Sequence, residues 1–198
     1  MASADLLALA RQVAAVEGVP FELLAAVAQV ESAWNPRAYR YEPALQEASY
    51  GLCQTLYSTA RGLGFTGKPE ELFDPRTSLT YGARYLARQL AAFGTPGLAA
   101  AAYNAGPGRV AREVKRVGVQ DIEKIDSGLP AITRNYWRKV AVYSAFFAGK
   151  IGQAEATLRA KTLELSEVVR GFATGKAGIA SGLALVVLFL AVGLLVRR

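Results

Sequence analysis

Glu31 stands on a helix stripe where an apolar residue is expected, immediately ahead of Ser32. Pro20 suits a first helical position, and the run from Phe21 to Glu31 places Leu24, Val27 and Glu31 at i, i+3 and i+7, on one face. A carboxyl group on such a face is partly dry. Dryness penalises the carboxylate, so the group holds its proton to higher pH than a solvated glutamate and is suited to act as a general acid.

Three downstream segments carry further candidates: Ser49-Tyr50-Gly51-Leu52-Cys53-Gln54, Ala102-Tyr103-Asn104-Ala105-Gly106, and Thr133-Arg134-Asn135-Tyr136. Gly51 and Gly106 permit positive φ or close backbone approach, and Asn104 to Gly108 reads as a tight loop between helices. Gln54 and Asn104 offer both donors and acceptors, the equipment for a saccharide bearing hydroxyl and N-acetyl groups. The aromatic stripe of Trp137, Tyr143, Phe146 and Phe147 reads as core.

Two-carboxylate glycosidase chemistry needs a partner for Glu31. Glu42, Glu47 and Asp74 are the candidates. Asp74 precedes Pro75 and an apolar-periodic segment, so it reads as an N-cap; Glu42 and Glu47 lie in a polar stretch as solvated residues. No second acid is evident.

The four segments in this order resemble the lytic transglycosylases of the soluble-transglycosylase and goose-lysozyme group, over roughly residues 6 to 148. The resemblance implies a mainly α, lysozyme-like domain. It makes Glu31 the catalytic acid and base, with Ser32 following it, and assigns Gln54, Tyr103, Asn104 and Tyr136 to the substrate groove, the Tyr136 hydroxyl pointing at the glutamate. Two positions depart from the family pattern: Cys53 replaces the usual methionine, and Ile132 replaces a glutamate before Thr133-Arg134. The implied reaction cleaves the bond between N-acetylmuramic acid and N-acetylglucosamine in peptidoglycan, the muramyl C6 hydroxyl replacing water to leave a 1,6-anhydro end. Hydrolysis of the goose-lysozyme kind, and a non-catalytic peptidoglycan-binding assembly protein, are the alternatives.

Composition removes competitors. The chain has no histidine and one cysteine, which excludes serine-histidine triads, histidine-ligated zinc, cysteine-histidine pairs and an internal disulfide. Cys53 reads as a small buried apolar residue. No cofactor or metal is implied. The net charge of +7 favours an anionic setting, and the scattered basic residues come without a nucleic-acid-binding motif, so no nucleic-acid partner is expected.

Caps and breakers predict helices over 4–17, 20–33, 56–63, 75–93, 97–103, 108–117 and 130–148, with a small or absent sheet. The organisation expected is a lysozyme-like domain over 1–149, a charged helical linker or partner-binding helix over 150–176, and an apolar transmembrane helix over 177–196. That last segment is long enough to cross a lipid bilayer, and Gly178 and Gly182 are spaced for helix-helix self-association. Residues 1–16 lack a secretory signal pattern. Together these features lead to an expected single-pass anchor in a bacteriophage virion membrane, or alternatively the bacterial plasma membrane, with the enzyme opening the wall for the viral genome.

Overall fold

The computed structural model describes residues 2–173, and among them the chain forms nine α-helices and one small sheet. The helices are α1 (Ala4–Glu17), α2 (Phe21–Ser32), α3 (Tyr57–Gly62), α4 (Pro75–Phe93), α5 (Pro96–Ala105), α6 (Pro107–Val117), α7 (Ile122–Ile125), α8 (Ala131–Phe147) and α9 (Gln153–Ala173). Their ends follow local chemistry. Gly18, Gly94 and Gly118 close α1, α4 and α6 in the left-handed conformation that glycine adopts without a Cβ penalty. Asp74 caps α4 by accepting from the Thr77 N–H at 2.8 Å, and Thr95 does the same for α5 through Leu98.

α2 is the central element, packed on α8, α1 and α4. Leu23 to Ala28 are buried without a break, and the small side chains of Ala25, Ala26 and Ala28 let neighbouring helices come close. α5 is built the same way, with Leu98 to Ala102 buried between α4 and α8. Leu24 and Val27 are fully buried, so the stripe on which Glu31 lies does face the core.

The sheet has three short antiparallel strands in the order β1 (Tyr39–Glu42), β2 (Glu47–Tyr50) and β3 (Thr55–Leu56). Arg40 pairs with Ser49, and Tyr50 with Thr55. Gly51 starts the β2–β3 turn at φ 69°, where an added Cβ would lie 2.2 Å from the Leu72 carbonyl oxygen. Only glycine fits there.

The chain turns sharply after α2. Ala33 and Trp34 both take positive φ, 50° and 68°, a conformation that costs a non-glycine residue about 1–2 kcal/mol. The apolar part of the Trp34 indole is buried there, edge-on to Phe147 at 6.1 Å, with its Nε1–H left without a partner. The turn sends residues 35–38 back past the end of α2 and into β1.

The segment expected as a linker is helical, and it folds back. The connection around Gly149 reverses the chain, so that α9 lies on α8 with Ala156 and Ala160 buried. Arg134 pairs with Glu167 at 3.6 Å and Lys139 with Glu164 at 2.5 Å across this contact. The expected transmembrane helix over 177–196, with its Gly178–Gly182 spacing, lies outside the described residues. Among the described residues no helix is long and apolar enough to cross a membrane. The longest terminal one, α9, carries Glu155, Arg159, Lys161, Glu164, Glu167 and Arg170 along its length, which excludes it from a bilayer core.

Candidate active site

Glu31 occupies the last turn of α2, where the helix runs out of the core into a cleft between the sheet and the α5–α6 junction. The cleft is about 380 Å³, and Arg40, Glu42, Gln54, Thr55, Tyr103 and Asn104 share its wall with Glu31. A shallower trough, rimmed by Val30, Ser32, Asn35, Arg37 and Tyr39, meets it on the other side of Glu31, Arg40 and Gln54. Glu31, Arg40 and Gln54 border both hollows, so the carboxyl stands where the two adjoin.

Burial pushes the Glu31 carboxyl up to about 7 from an ordinary 4.5. The hydrogen bond from the Tyr136 hydroxyl to Glu31 Oε1, at 2.8 Å, and the nearby Arg40 guanidinium act in the opposite direction, while Glu42 adds to the rise. Desolvation outweighs both favourable partners. A carboxyl poised near neutrality gives a proton at one step and takes one back at the next at small cost. Burial, with Glu31 beside it, raises the Tyr136 phenol well above its usual range, so Tyr136 remains a neutral donor.

The other expected site residues converge on the same place but are engaged to different degrees. Ser32 shares its hydroxyl proton between the Leu52 carbonyl at 2.9 Å and the Ala28 carbonyl at 3.2 Å, tying α2 to the β2–β3 turn. Gln54 sits at φ 45° and gives both Nε2 protons to backbone, to Ala38 and Gly51 carbonyls at 3.0 Å each, while its Oε1 accepts from Ser49 at 3.0 Å. Its amide therefore clamps the cleft wall. Tyr103 donates to the Cys53 carbonyl at 2.9 Å. Asn104 Oδ1 accepts from Thr133 at 2.9 Å, which orients the side chain with its NH₂ group uncommitted at the cleft wall.

Behind this wall Cys53 is fully buried against α4, and its thiol is held protonated by burial. Gly82 makes the room, since a Cβ there would lie 2.5 Å from Cys53 Sγ. Ile132, the departure noted in the sequence, is 69% exposed on the first turn of α8 and takes no part in the burial of Thr133 and Tyr136 beside it. Glu47 bonds Ser58 on α3 and so braces the sheet.

Sequence reasoning passed over Arg40 and Thr55 and left Glu42 as a solvated residue. The structure puts all three on the cleft wall, Arg40 and Glu42 joined at 2.5 Å. For Arg40 and Glu42 the signal is the alternation Arg40-Tyr41-Glu42, which places residues 40 and 42 on one face of a strand. Among the described residues no group of three acidic, cysteine or histidine side chains is arranged to hold a metal.

A half-buried glutamate with a desolvated carboxyl and a tyrosine donor, at the end of a core helix on a cleft walled by a small sheet, defines a lysozyme-like site. Residues 8–125 match the model of the transglycosylase SLT domain, and the chain belongs to that family. It is 34% identical over 143 residues to the soluble lytic murein transglycosylase of Salmonella typhimurium, a match covering 67% of this chain and 21% of that protein. The Escherichia coli protein of the same name is 30% identical, over 72% of this chain and 23% of its own length.

Among solved structures, the 70 kDa soluble lytic transglycosylase of Escherichia coli matches with a TM-score of 0.62 at 29% identity, covering 72% of this chain and 24% of that one. An inactive glutamate-to-glutamine mutant of the Pseudomonas aeruginosa enzyme matches at 0.63 and 27% identity, over 72% and 24%. The chain thus spans about a fifth to a quarter of the length of these relatives. The Salmonella typhimurium and Escherichia coli relatives are named as soluble proteins, and among the described residues no helix is long and apolar enough to cross a membrane. The membrane localisation expected from the apolar tail is corrected accordingly.

Proposed function

We propose that this chain is a peptidoglycan lytic transglycosylase in which one residue, Glu31, is both acid and base. The observation that carries the reading is the Glu31 carboxyl itself, raised to about 7 by burial, hydrogen-bonded by Tyr136 and bordering both the cleft and the adjoining trough. Family membership and the inactive glutamate-to-glutamine relative support it.

In the first step Glu31 donates its proton to the glycosidic oxygen between N-acetylmuramic acid and N-acetylglucosamine, and the C1–O bond breaks with its electrons passing to that oxygen. The acetamido oxygen stabilises the cation left at C1. In the second step the Glu31 carboxylate, held by Tyr136, removes the proton of the muramyl C6 hydroxyl as that oxygen bonds to C1. The products are a 1,6-anhydromuramyl end and a free C4 hydroxyl, and Glu31 is protonated again. No second carboxylate is needed.

Glu42 on the same cleft wall favours one second reading, hydrolysis, in which it would hold a water molecule. Its pairing with Arg40 satisfies it instead. The cleft chemistry is the same whether the wall is opened by a virion or by a cell. Mass spectrometry of muropeptides after digestion of purified sacculi tests the proposal. Anhydromuramyl products, absent with Glu31→Gln, support it; reducing ends would make the protein a hydrolase, and intact sacculi would make it a binding protein.

A further inference from the structure

The polar atoms in the cleft wall are almost all committed within the protein. Gln54 has spent both amide protons on backbone, Tyr103 has given its hydroxyl proton to Cys53, and Asn104 has accepted from Thr133. The Asn104 NH₂ group is open to the cleft, and Thr55 is the one buried exception among these residues. It opens β3 directly after Gln54, is 3% exposed, and lines the cleft, yet its Oγ1 has no hydrogen-bond partner. The hydroxyl lies close enough to Tyr103 to influence that phenol, without reaching hydrogen-bonding geometry.

A buried hydroxyl without a partner destabilises the free protein, and valine would fill the same shape without that penalty. The strand context favours valine as well, since β-branched residues suit a pleated surface. Retaining threonine here makes sense where a partner arrives with the ligand. Leu56 and Tyr85 on the same cleft wall add apolar surface around it. A hydroxyl set among apolar groups matches an acetamido substituent, whose carbonyl accepts a hydrogen bond and whose methyl seeks apolar contact.

We propose that Thr55 is a specificity-determining residue that donates its hydroxyl proton to the acetamido carbonyl of the sugar seated beside Glu31. The inference rests on the glycan-cleaving reading of the same cleft. It predicts opposite signs for two properties of Thr55→Val: weaker ligand binding, and stability that is unchanged or raised. A structural hydroxyl would lower both.

The test uses the full chain carrying Glu31→Gln, so that ligand is not consumed, with calorimetric titration of tetra-N-acetylchitotetraose and of soluble uncross-linked glycan strands. Adding Thr55→Val is expected to weaken binding about 3- to 10-fold, the worth of one neutral hydrogen bond. Thr55→Ser, which keeps the hydroxyl, is expected to bind within about 2-fold of the parent on the same ground. The melting temperature of Thr55→Val is expected to stay level or rise. Unchanged affinity for Thr55→Val, or a fall in melting temperature alongside the affinity, overturns the role of Thr55. Failure of the parent to bind either saccharide overturns the glycan reading of the cleft, and this inference with it.

Discussion

Replacing Tyr136 with phenylalanine removes one oxygen and leaves the ring that packs in the core. The lost bond, 2.8 Å to Glu31 Oε1, stabilises the carboxylate in preference to the protonated acid. A hydrogen bond to a charged group contributes about 1.5–3 kcal/mol, so at about 1.4 kcal/mol per unit the Glu31 carboxyl should rise by about 1–2 units above its already raised value. In the free enzyme Glu31 must be protonated to act, so kcat/KM falls as pH climbs through its titration near 7. In Tyr136→Phe that basic limb should move up by about 1–2 units. The maximum should drop by about 10-fold or more, because the carboxylate that forms after bond cleavage has lost the donor that orients it. The assay is the pH dependence of kcat/KM on purified peptidoglycan. A drop in rate with the basic limb unmoved, or moved to lower pH, would refute the reasoning, since a merely structural tyrosine slows the enzyme equally at every pH.

The same burial that tunes Glu31 costs stability. The folded protein keeps the Glu31 proton between 4.5 and about 7 while the unfolded chain has released it. Its contribution is therefore fully present below 4.5 and is lost as pH rises through 7. Glu31→Gln escapes this loss and should be more stable than the parent at pH 8 by up to ~3 kcal/mol, with little difference at pH 4.5; thermal unfolding at the two pH values checks it. Gly51→Ala should destabilise by about 2–4 kcal/mol, from the positive φ and the clash with the Leu72 carbonyl, and chemical denaturation that finds it within experimental error of the parent would contradict the account of the turn.

The helices were legible because the chain punctuates them locally. Gly18, Gly94 and Gly118 end helices as expected, and Asp74 caps the helix that Pro75 begins; Pro96 and Pro107 open α5 and α6 one residue ahead of the expected starts, and the expected Asn104–Gly108 loop shrinks to Gly106. The placement of Glu31 was legible too, because the 3.6-residue period put it on a stripe with Leu24 and Val27. What escaped is non-local. The alternation Arg40-Tyr41-Glu42 puts residues 40 and 42 on one face of a four-residue strand, but does not say that this face meets the cleft. Gln54 reads as a free amide until the chain reversal at Ala33 and Trp34 brings the Ala38 carbonyl to it. The docking of α9 depends on Ala156 and Ala160 meeting α8, and alanines in a charged helix give no such signal by themselves.

The central claim is that Glu31, half-buried with a desolvated carboxyl, titrates near neutrality in the folded protein. Carbon-13 NMR of glutamate-labelled protein, followed from pH 3 to 9, measures it directly, with Glu31→Gln identifying the resonance. The expected result is a single side-chain carboxyl titrating at about 7 and missing from the variant. If the resonance lost in the variant instead titrates at about 4.5 like a solvated glutamate, Glu31 is not held as a general acid and the proposed mechanism fails.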